Sequence, residues 1–305
     1  MAQTVYLNGE FMPIDQARIP VLDRGFLFGD GIYEYVPVYN RRAFRLQEHY
    51  ARLEKSLAAV RIPNPLTAAG FAALAQKLID AQPFADQGLY LQITRGAAPR
   101  EHAFPKGLVP TVFMMSNPLV MPTEAQIRRG VSVVVREDFR WLRNDIKAVS
   151  LLGHCMLRTE AADEGCAEVV LVRDGFLTEA SSSNVLIVKN GKVLSPPKTQ
   201  LILAGVTYDV VLELLAGNQI PHEVRAVTEA ELRSADEVWL TSSSKEMLPV
   251  TELDFQPVGH GEAAGRPGAV FKHVHALYRA FKARHNLENA AAQVAAPLVG
   301  GAAHA

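Results

Sequence analysis

Hydrophobic residues alternate with polar ones early in the chain and later recur at helical spacing. The apolar residues 5–8 predict a strand, and Asn8-Gly9 after it is a dipeptide typical of two-residue hairpins. The alternating segment 32–39 predicts a further strand. Two helices follow, because apolar residues recur every three or four positions: Leu46, Leu53, Leu57 and Val60 in the first, and Phe71, Leu74, Leu78 and Ile79 in the second. Strands over 89–93 and 111–115 complete a mixed α and β unit, with the loop 96–107 between them.

A second unit follows the aperiodic, proline-containing segment 116–123. The predicted elements of this unit are strands at 131–135, 168–172, 184–188 and 238–241, a helix from about 151 to 164 that ends at Gly165, and a hairpin at Asn190-Gly191. A helix from about Val206 to Leu215 is expected to end at Gly217 in the left-handed conformation.

These patterns predict an α+β protein of two domains, which is also what its length allows. The domains are expected at 1–117 and 125–286, and a linker is expected at 118–124. An alanine-rich tail at 287–305 is predicted not to pack against them.

Composition excludes several kinds of partner. The 305 residues are 49% hydrophobic and 21% charged with a net charge of -1, which gives no positive field for nucleic acid or anionic lipid. No apolar run is long enough to span a membrane and the first residues lack a signal-peptide pattern, so we expect a cytoplasmic protein without membrane partners. Cys155 and Cys166 are too few for a disulfide framework and are predicted to be small core residues.

Motifs for nucleotides and metals are absent, whereas Lys147 is a candidate nucleophile. The sequence contains no GxxxxGK[ST], no strand-borne GxGxxG and no HExxH. Lys147 lies between a predicted strand and helix, and its apolar neighbours Ile146, Ala148 and Val149 favour a neutral amine that can attack an aldehyde. A solvated surface lysine is the alternative.

Two further segments carry candidate chemistry. Val206 and Thr207 begin a predicted helix. Their backbone amides, the Thr207 hydroxyl and the helix dipole favour an anion there, which Arg52 could also bind. Glu179 precedes a run of small polar residues, and its carboxylate could keep an aromatic ring nitrogen protonated. A simple alternative exists for Thr207, for Arg52 and for Glu179: a threonine cap, a solvated arginine and an ordinary turn glutamate.

Taken together, the sequence resembles the fold-type IV enzymes that depend on pyridoxal 5'-phosphate (PLP). The matching segments are His49-Tyr50-Ala51-Arg52-Leu53, Asp145-Ile146-Lys147, Thr178-Glu179-Ala180-Ser181-Ser182-Ser183-Asn184, Leu203-Ala204-Gly205-Val206-Thr207 and Leu240-Thr241-Ser242-Ser243. The resemblance covers about residues 5–285. It implies a small N-terminal α/β domain, a larger barrel-like C-terminal domain with helices, and a homodimer whose active site is shared between subunits.

The resemblance also implies roles for individual residues. Lys147 would be the covalent anchor of PLP and the acid and base of the reaction, and Glu179 would pair with the ring nitrogen. The remaining cofactor contacts would be Arg52, Ser183, Val206, Thr207, Ser242 and Ser243.

Within the family the chain is most similar to D-amino acid aminotransferases. In that subgroup an Arg-x-His loop from the other subunit binds the substrate carboxylate together with a tyrosine, here Arg100, His102 and Tyr33. The implied reaction is transamination of a D-amino acid, with D-alanine and 2-oxoglutarate as the first pair to test. An exposed loop with incidental charges is the alternative for Arg100 and His102.

The sequence departs from the commonest family pattern at three positions and leaves other activities open. Ala180 replaces a frequent glycine, Tyr208 replaces a frequent arginine, and the bulky Tyr35 shares the strand face of Tyr33 and is expected to narrow the substrate pocket. The alternatives are an aminodeoxychorismate lyase, a branched-chain L-amino acid aminotransferase and a PLP-binding protein without catalysis.

Overall fold

Two β-sheets form the framework of the protein. The computed structural model describes residues 3–295, with side chains as far as residue 285. The first sheet is wholly antiparallel, in the order β2-β1-β6-β5-β3-β4. Its strands are β1 (Thr4–Leu7), β2 (Glu10–Pro13), β3 (Gly31–Tyr39), β4 (Arg42–Ala43), β5 (Gln87–Thr94) and β6 (Thr111–Pro118).

The second sheet is larger and mixed, in the order β12-β11-β10-β13-β14-β7-β8-β9, and β15 pairs with β14. Its strands are β7 (Val131–Glu137), β8 (Glu168–Arg173), β9 (Phe176–Ala180), β10 (Asn184–Lys189), β11 (Lys192–Ser195), β12 (His222–Val224), β13 (Glu237–Ser242), β14 (Glu246–Leu253) and β15 (Gln256–Pro257). Leu177 at one end of the sheet and Leu194 near the other belong to one aliphatic core. The sheet therefore curls around that core, which confirms the predicted barrel-like character.

Helices cover the faces of both sheets. They are α1 (Arg24–Phe28), α2 (Leu46–Ala59), α3 (Ala68–Asp80), α4 (Glu124–Arg129), α5 (Leu152–Asp163), α6 (Val206–Gly217), α7 (Glu229–Arg233) and α8 (Ala269–Ala295). Leu53 of α2 and Leu78 of α3 are fully buried against the first sheet, as the helical spacing predicts. Val211 of α6 and Phe271 of α8 pack on the second sheet around Trp239. None of the helices in the part of the chain described here is long and apolar enough to cross a membrane.

Local turn chemistry agrees with the sequence except at one helix end. The Asn-Gly pairs at 8–9 and 190–191 join β1 to β2 and β10 to β11, and all four residues have positive φ. Gly217, predicted as a left-handed cap, is instead the last residue of α6, and Gln219 has the positive φ, 55°. The prediction at Gly217 is wrong because the helix continues for two residues past Leu215.

The long helix α8 was not predicted from the sequence. Its buried residues Phe271, Val274 and Tyr278 recur at spacings of three and four, which is the signal that would have revealed it. The helix continues through 287–295, which the sequence analysis assigns to the tail, and the rest of that tail, 296–305, lies outside the described residues. The division into domains at 1–117 and 125–286 stays a prediction.

The segment around Lys147 joins the two sheets. The Tyr33 amide donates to the Lys147 carbonyl at 2.9 Å, and the Val149 amide donates to the Gly31 carbonyl at 3.1 Å. Because β4 pairs only with the far end of β3, the segment 147–149 occupies the open edge near Gly31. The backbone of Lys147 is thereby fixed to the first sheet.

Candidate active site

A cavity of about 790 Å³ lies where the two sheets meet. This volume suits a small organic molecule. Its wall contains Lys147 and Glu179, the start of α6, two serine-rich turns and tyrosines of β3 and β5. Residues that the sequence places far apart therefore face one space.

Lys147 is half-buried in this wall. Its Nζ lies 4.1 Å from the centre of the Tyr33 ring, and its amide donates to Ser56 Oγ at 3.3 Å. The solvated surface position considered above does not describe this side chain, because Lys147 lines the same cavity as Glu179 and Thr207.

Glu179, the penultimate residue of β9, is almost fully buried. Arg140 Nη1 donates to its Oε1 at 2.8 Å, and the Leu203 amide and Asn184 Nδ2 donate to its Oε2 at 2.9 and 3.2 Å. Burial raises the pKa of Glu179 to about 7, and the Arg140 charge and the Leu203 hydrogen bond offset it only in part. A carboxyl with this pKa can share a proton with a neighbouring base near neutral pH.

Arg140, which sequence reasoning missed, connects Glu179 to a second buried carboxylate. Its Nε and Nη2 each donate to Asp138 at 2.9 Å, and Nη1 lies 3.2 Å from His154 Nε2. Burial, followed by the Arg140 and Lys147 charges, lowers the pKa of His154 to about 4. The only sequence signal was an Asp-x-Arg spacing just after a predicted strand.

The start of α6 is open toward the cavity. Gly205 is the N-cap and no side chain caps the helix, so the threonine cap considered above is wrong and the amides of Val206 and Thr207 remain available to an anion. A Cβ at Gly205 would lie well inside van der Waals distance of Asn184 Oδ1. Glycine is required here because of that close approach.

Arg52 lies beside this helix start and is held by a buried carboxylate. Its Nε and Nη2 donate to Glu34 at 2.8 Å each, and its Nη1 donates to the Ala204 carbonyl at 2.9 Å. Burial raises the pKa of Glu34, but the charge and hydrogen bonds of Arg52 and those of His49 outweigh it and lower the pKa to about 2. The guanidinium is therefore fixed beside the start of α6 rather than solvated.

Two turns complete this end of the cavity. Thr241 Oγ1 is buried and has no hydrogen-bond partner among the described residues. Ser243 lines the cavity, whereas Ser242 Oγ accepts from the Lys245 amide at 3.1 Å and Ser183 Oγ donates to Glu168 Oε2 at 2.9 Å. Thr241, named only within a motif, thus has a hydroxyl available for an occupant, and the Ser183 hydroxyl is already engaged.

Aromatic residues of the first sheet form the opposite wall. Tyr33 and Tyr35 lie on one strand face as predicted, and the Tyr33 ring stacks on Tyr90 with centroids 5.6 Å apart. The hydroxyl end of Tyr35 extends over Gly88, where an added Cβ would clash with it. The Tyr35 ring therefore lies on the surface of the sheet and narrows the substrate pocket less than its size predicts.

Arg100 and His102 do not line the cavity of their own chain. The Arg100 guanidinium lies 5.2 Å from the centre of the Phe28 ring, and His102 packs on the same ring at 5.6 Å. Arg24 fixes this loop by donating to the carbonyls of Glu101 and His102.

Comparison with known proteins places the chain in a family. A family model described as amino-transferase class IV matches residues 31–253, a range that includes Lys147, Glu179 and the start of α6. The D-alanine aminotransferase of Bacillus licheniformis is 41% identical over 270 residues, covering 88% of this chain and 94% of that protein. The D-alanine aminotransferase of Staphylococcus epidermidis (strain ATCC 12228 / FDA PCI 1200) is 36% identical over 258 residues, with coverages of 85% and 92%.

This chain belongs to the class IV aminotransferases. Solved structures show the same fold: the branched-chain amino acid aminotransferase of Escherichia coli superposes with a TM-score of 0.83 at 23% identity, covering 90% of this chain and 93% of that one. The T.th. branched-chain amino acid aminotransferase with pyridoxamine 5'-phosphate gives a TM-score of 0.83 at 22% identity, with coverages of 91% and 93%. Family and fold are thus as the sequence resemblance predicts.

One side chain of this aminotransferase lies where the sequence did not place it. Cys166 is buried as predicted, but Cys155 is exposed and lines the cavity mouth. The prediction for Cys155 is wrong because the face of α5 that carries it points toward the cavity, whereas Leu157 and Ala161 on the other face fill the core.

Among the described residues no group of His, Cys, Asp and Glu could hold a metal ion.

Proposed function

We propose that this aminotransferase binds PLP in the cavity and transfers an amino group between a D-amino acid and a 2-oxo acid. The observation that carries this proposal is that an amine, a buried acid and an uncapped helix start line one space, at Lys147, Glu179 and Val206. PLP requires these three partners, for its aldehyde, its ring nitrogen and its phosphate. When bound, it supplies an aldehyde carbon for the amino group and a ring that accepts electrons from the substrate.

Lys147 is the proposed covalent anchor and proton carrier. Its fixed backbone and the Tyr33 ring under its Nζ position the amine. Besides anchoring PLP, the Lys147 Nζ would act as the base that takes the proton from the substrate α-carbon and as the acid that gives it back. Glu179 keeps a proton on the ring nitrogen, and Arg140 holds its carboxylate in place.

Arg52, Thr207 and Ser243 are proposed to bind the phosphate with the amide of Val206. Thr241 fits the same group, because its buried hydroxyl has no other partner in the described part of the chain. The Glu34 carboxylate presents the Arg52 guanidinium with fixed geometry.

The D-amino acid specificity is proposed from the relatives and from the Arg-x-His loop. We infer that Arg100 and His102 of a second copy bind the substrate carboxylate together with Tyr33. Each chain alone keeps this pair on Phe28, away from its own cavity. Exposed apolar residues at Phe139, Trp141 and Leu142, beside the cavity residue Arg140, offer a surface for that copy.

Assays with purified protein test the proposal. With PLP and 2-oxoglutarate, D-alanine should give pyruvate and L-leucine should not be consumed. Lys147→Ala should lower turnover by at least about a thousandfold, since it removes both the nucleophile and the proton carrier.

Other outcomes identify the alternatives. Consumption of L-leucine instead of D-alanine would indicate the activity for which the superposed branched-chain aminotransferases are named. A cofactor spectrum that no amino acid changes would indicate PLP binding without catalysis.

A further inference from the structure

Glu168 is a fully buried carboxylate that the proposed reaction does not use. It is the first residue of β8, and its Oε1 accepts from Ser182 Oγ at 2.7 Å and from Ser181 Oγ at 3.3 Å. The Ser182 amide also donates to Oε1, and Ser183 Oγ donates to Oε2 at 2.9 Å. One carboxylate therefore binds every serine of the turn between β9 and β10.

Lys245 brings the neighbouring turn to the same carboxylate. Its Nζ lies 2.9 Å from Glu168 Oε2 and donates to Ser182 Oγ at 2.9 Å and to Ser183 Oγ at 3.3 Å. These two hydroxyls thus donate to Glu168 and accept from Lys245, which closes a ring of hydrogen bonds. The Lys245 amide donates to Ser242 Oγ, so the residue also shapes its own turn.

Sheet register explains why the two turns meet. β10 pairs with β13 so that Asn184 lies opposite Thr241. The turn that precedes β10 and the turn that follows β13 consequently leave the sheet side by side, and both line the cavity. Lys245 and Glu168, which do not line the cavity, connect the two turns.

We propose that Glu168 and Lys245 form one positioning pair that sets the separation of the two serine turns and thereby the affinity for PLP. The hydroxyls of Ser182 and Ser183 are engaged by this pair. Thr241 and Ser243 therefore remain to contact the phosphate. This inference rests on the proposed function, since it assumes that PLP occupies the cavity.

Removing either member breaks the ring. Glu168→Gln leaves Lys245 without its counter-charge, and Lys245→Met leaves a buried carboxylate without a cation, which is the more costly change. The turns then lose their common anchor and the phosphate contacts lose their alignment.

The experiment titrates cofactor-free protein with PLP and follows its absorbance. Glu168→Gln and Lys245→Met should each weaken PLP binding by about tenfold or more, as loss of residues that orient ligand groups does elsewhere. Turnover at saturating PLP should fall much less, and Lys245→Arg should restore affinity. The double variant should lose about as much as one single variant, because both changes break the same unit.

Arg225→Met is the matched control, because Arg225 is half-buried like Lys245 and pairs with Glu231 at 2.6 Å, outside both turns and the cavity. It should lower thermal stability slightly and leave PLP affinity unchanged. If Glu168→Gln and Lys245→Met bind PLP as tightly as the natural protein does, or if Arg225→Met weakens binding equally, the positioning pair is refuted. Failure of the natural protein to bind PLP would instead refute the proposed function.

Discussion

Carboxylates buried around the cavity are each compensated by a cation. The pairs are Glu34 with Arg52, Asp138 and Glu179 with Arg140, and Glu168 with Lys245. Such charges are costly to bury and more costly to leave without a partner. These buried ion pairs therefore hold their side chains in the site with little conformational freedom.

Glu179 should make the stability of the cofactor-free protein depend on pH. Its folded pKa, about 7, is above its ordinary value of 4.5, so the folded state favours the protonated form. The stabilising contribution is complete below about pH 4.5 and is lost as the pH rises through about 7, with a total of roughly 3 kcal/mol. His154, whose pKa is lowered from 6.5 to about 4, contributes a change of the opposite sign over nearly the same range. The Glu179 contribution is therefore measured as a difference: in urea unfolding, the stability of the natural protein should fall relative to that of Glu179→Gln as the pH rises. An equal pH dependence in the variant would contradict the assignment.

Gly88→Ala should reduce the size of the substrate that the cavity accepts. The new methyl group occupies the position of the Tyr35 hydroxyl, so the ring must move off the sheet and into the cavity. We expect kcat/KM for D-leucine to fall about tenfold relative to D-alanine, which is the order of effect that one methylene has in a tight pocket.

Tyr35→Ala provides the background that tests this explanation. With Tyr35 absent, Gly88→Ala should have no effect on the ratio of D-leucine to D-alanine activity. A persistent effect would show that the methyl group acts by another route.

At the scale of elements, α6 and the turn before β10 determine each other's position. Asn184 donates to the Leu203 carbonyl at 2.9 Å and to Glu179, so the segment before the helix and the Glu179 carboxylate share one amide side chain. The close approach at Gly205 makes this arrangement possible. The groups proposed to bind the phosphate and the ring nitrogen of PLP are thereby held at a fixed separation.

Gly205→Ala should weaken PLP binding by about tenfold, because the Cβ displaces either Asn184 or the first turn of α6. Gly217→Ala in the same helix is the control: its Cβ meets nothing within 4 Å and its φ is not positive. That variant should bind PLP normally and gain up to about 1 kcal/mol of stability. Titration and thermal unfolding of both variants decide, and normal binding by Gly205→Ala would contradict the close-approach argument.

At the scale of the whole molecule, the site depends on both sheets and, in our proposal, on two chains. The first sheet supplies Tyr33 and the helix packed on it supplies Arg52, the second sheet supplies Glu179, and the segment at Lys147 joins them. A second copy would bring Arg100 and His102.

Mixing two inactive variants should restore activity if the site is shared. A dimer of Lys147→Ala with Arg100→Ala contains one cavity that has its own lysine and receives the intact loop of the other chain. Refolding an equimolar mixture should recover about a quarter of natural activity, since half of the dimers are mixed and each has one complete site. No recovery would mean that Arg100 serves its own chain or that the protein does not form this dimer.

The sequence by itself determined the elements that depend on local periodicity, the Asn-Gly hairpins and the family, because these are encoded by neighbouring residues and by the order of motifs. It also singled out Lys147, Glu179 and the start of α6 as candidates, and the structure brings them to one cavity. Only the tertiary structure decided that Arg140 pairs with Glu179, that Glu168 and Lys245 connect two turns, and that Cys155 lines the cavity mouth instead of the core. Those contacts join residues far apart in the chain, and their energies depend on burial, which short-range patterns do not specify.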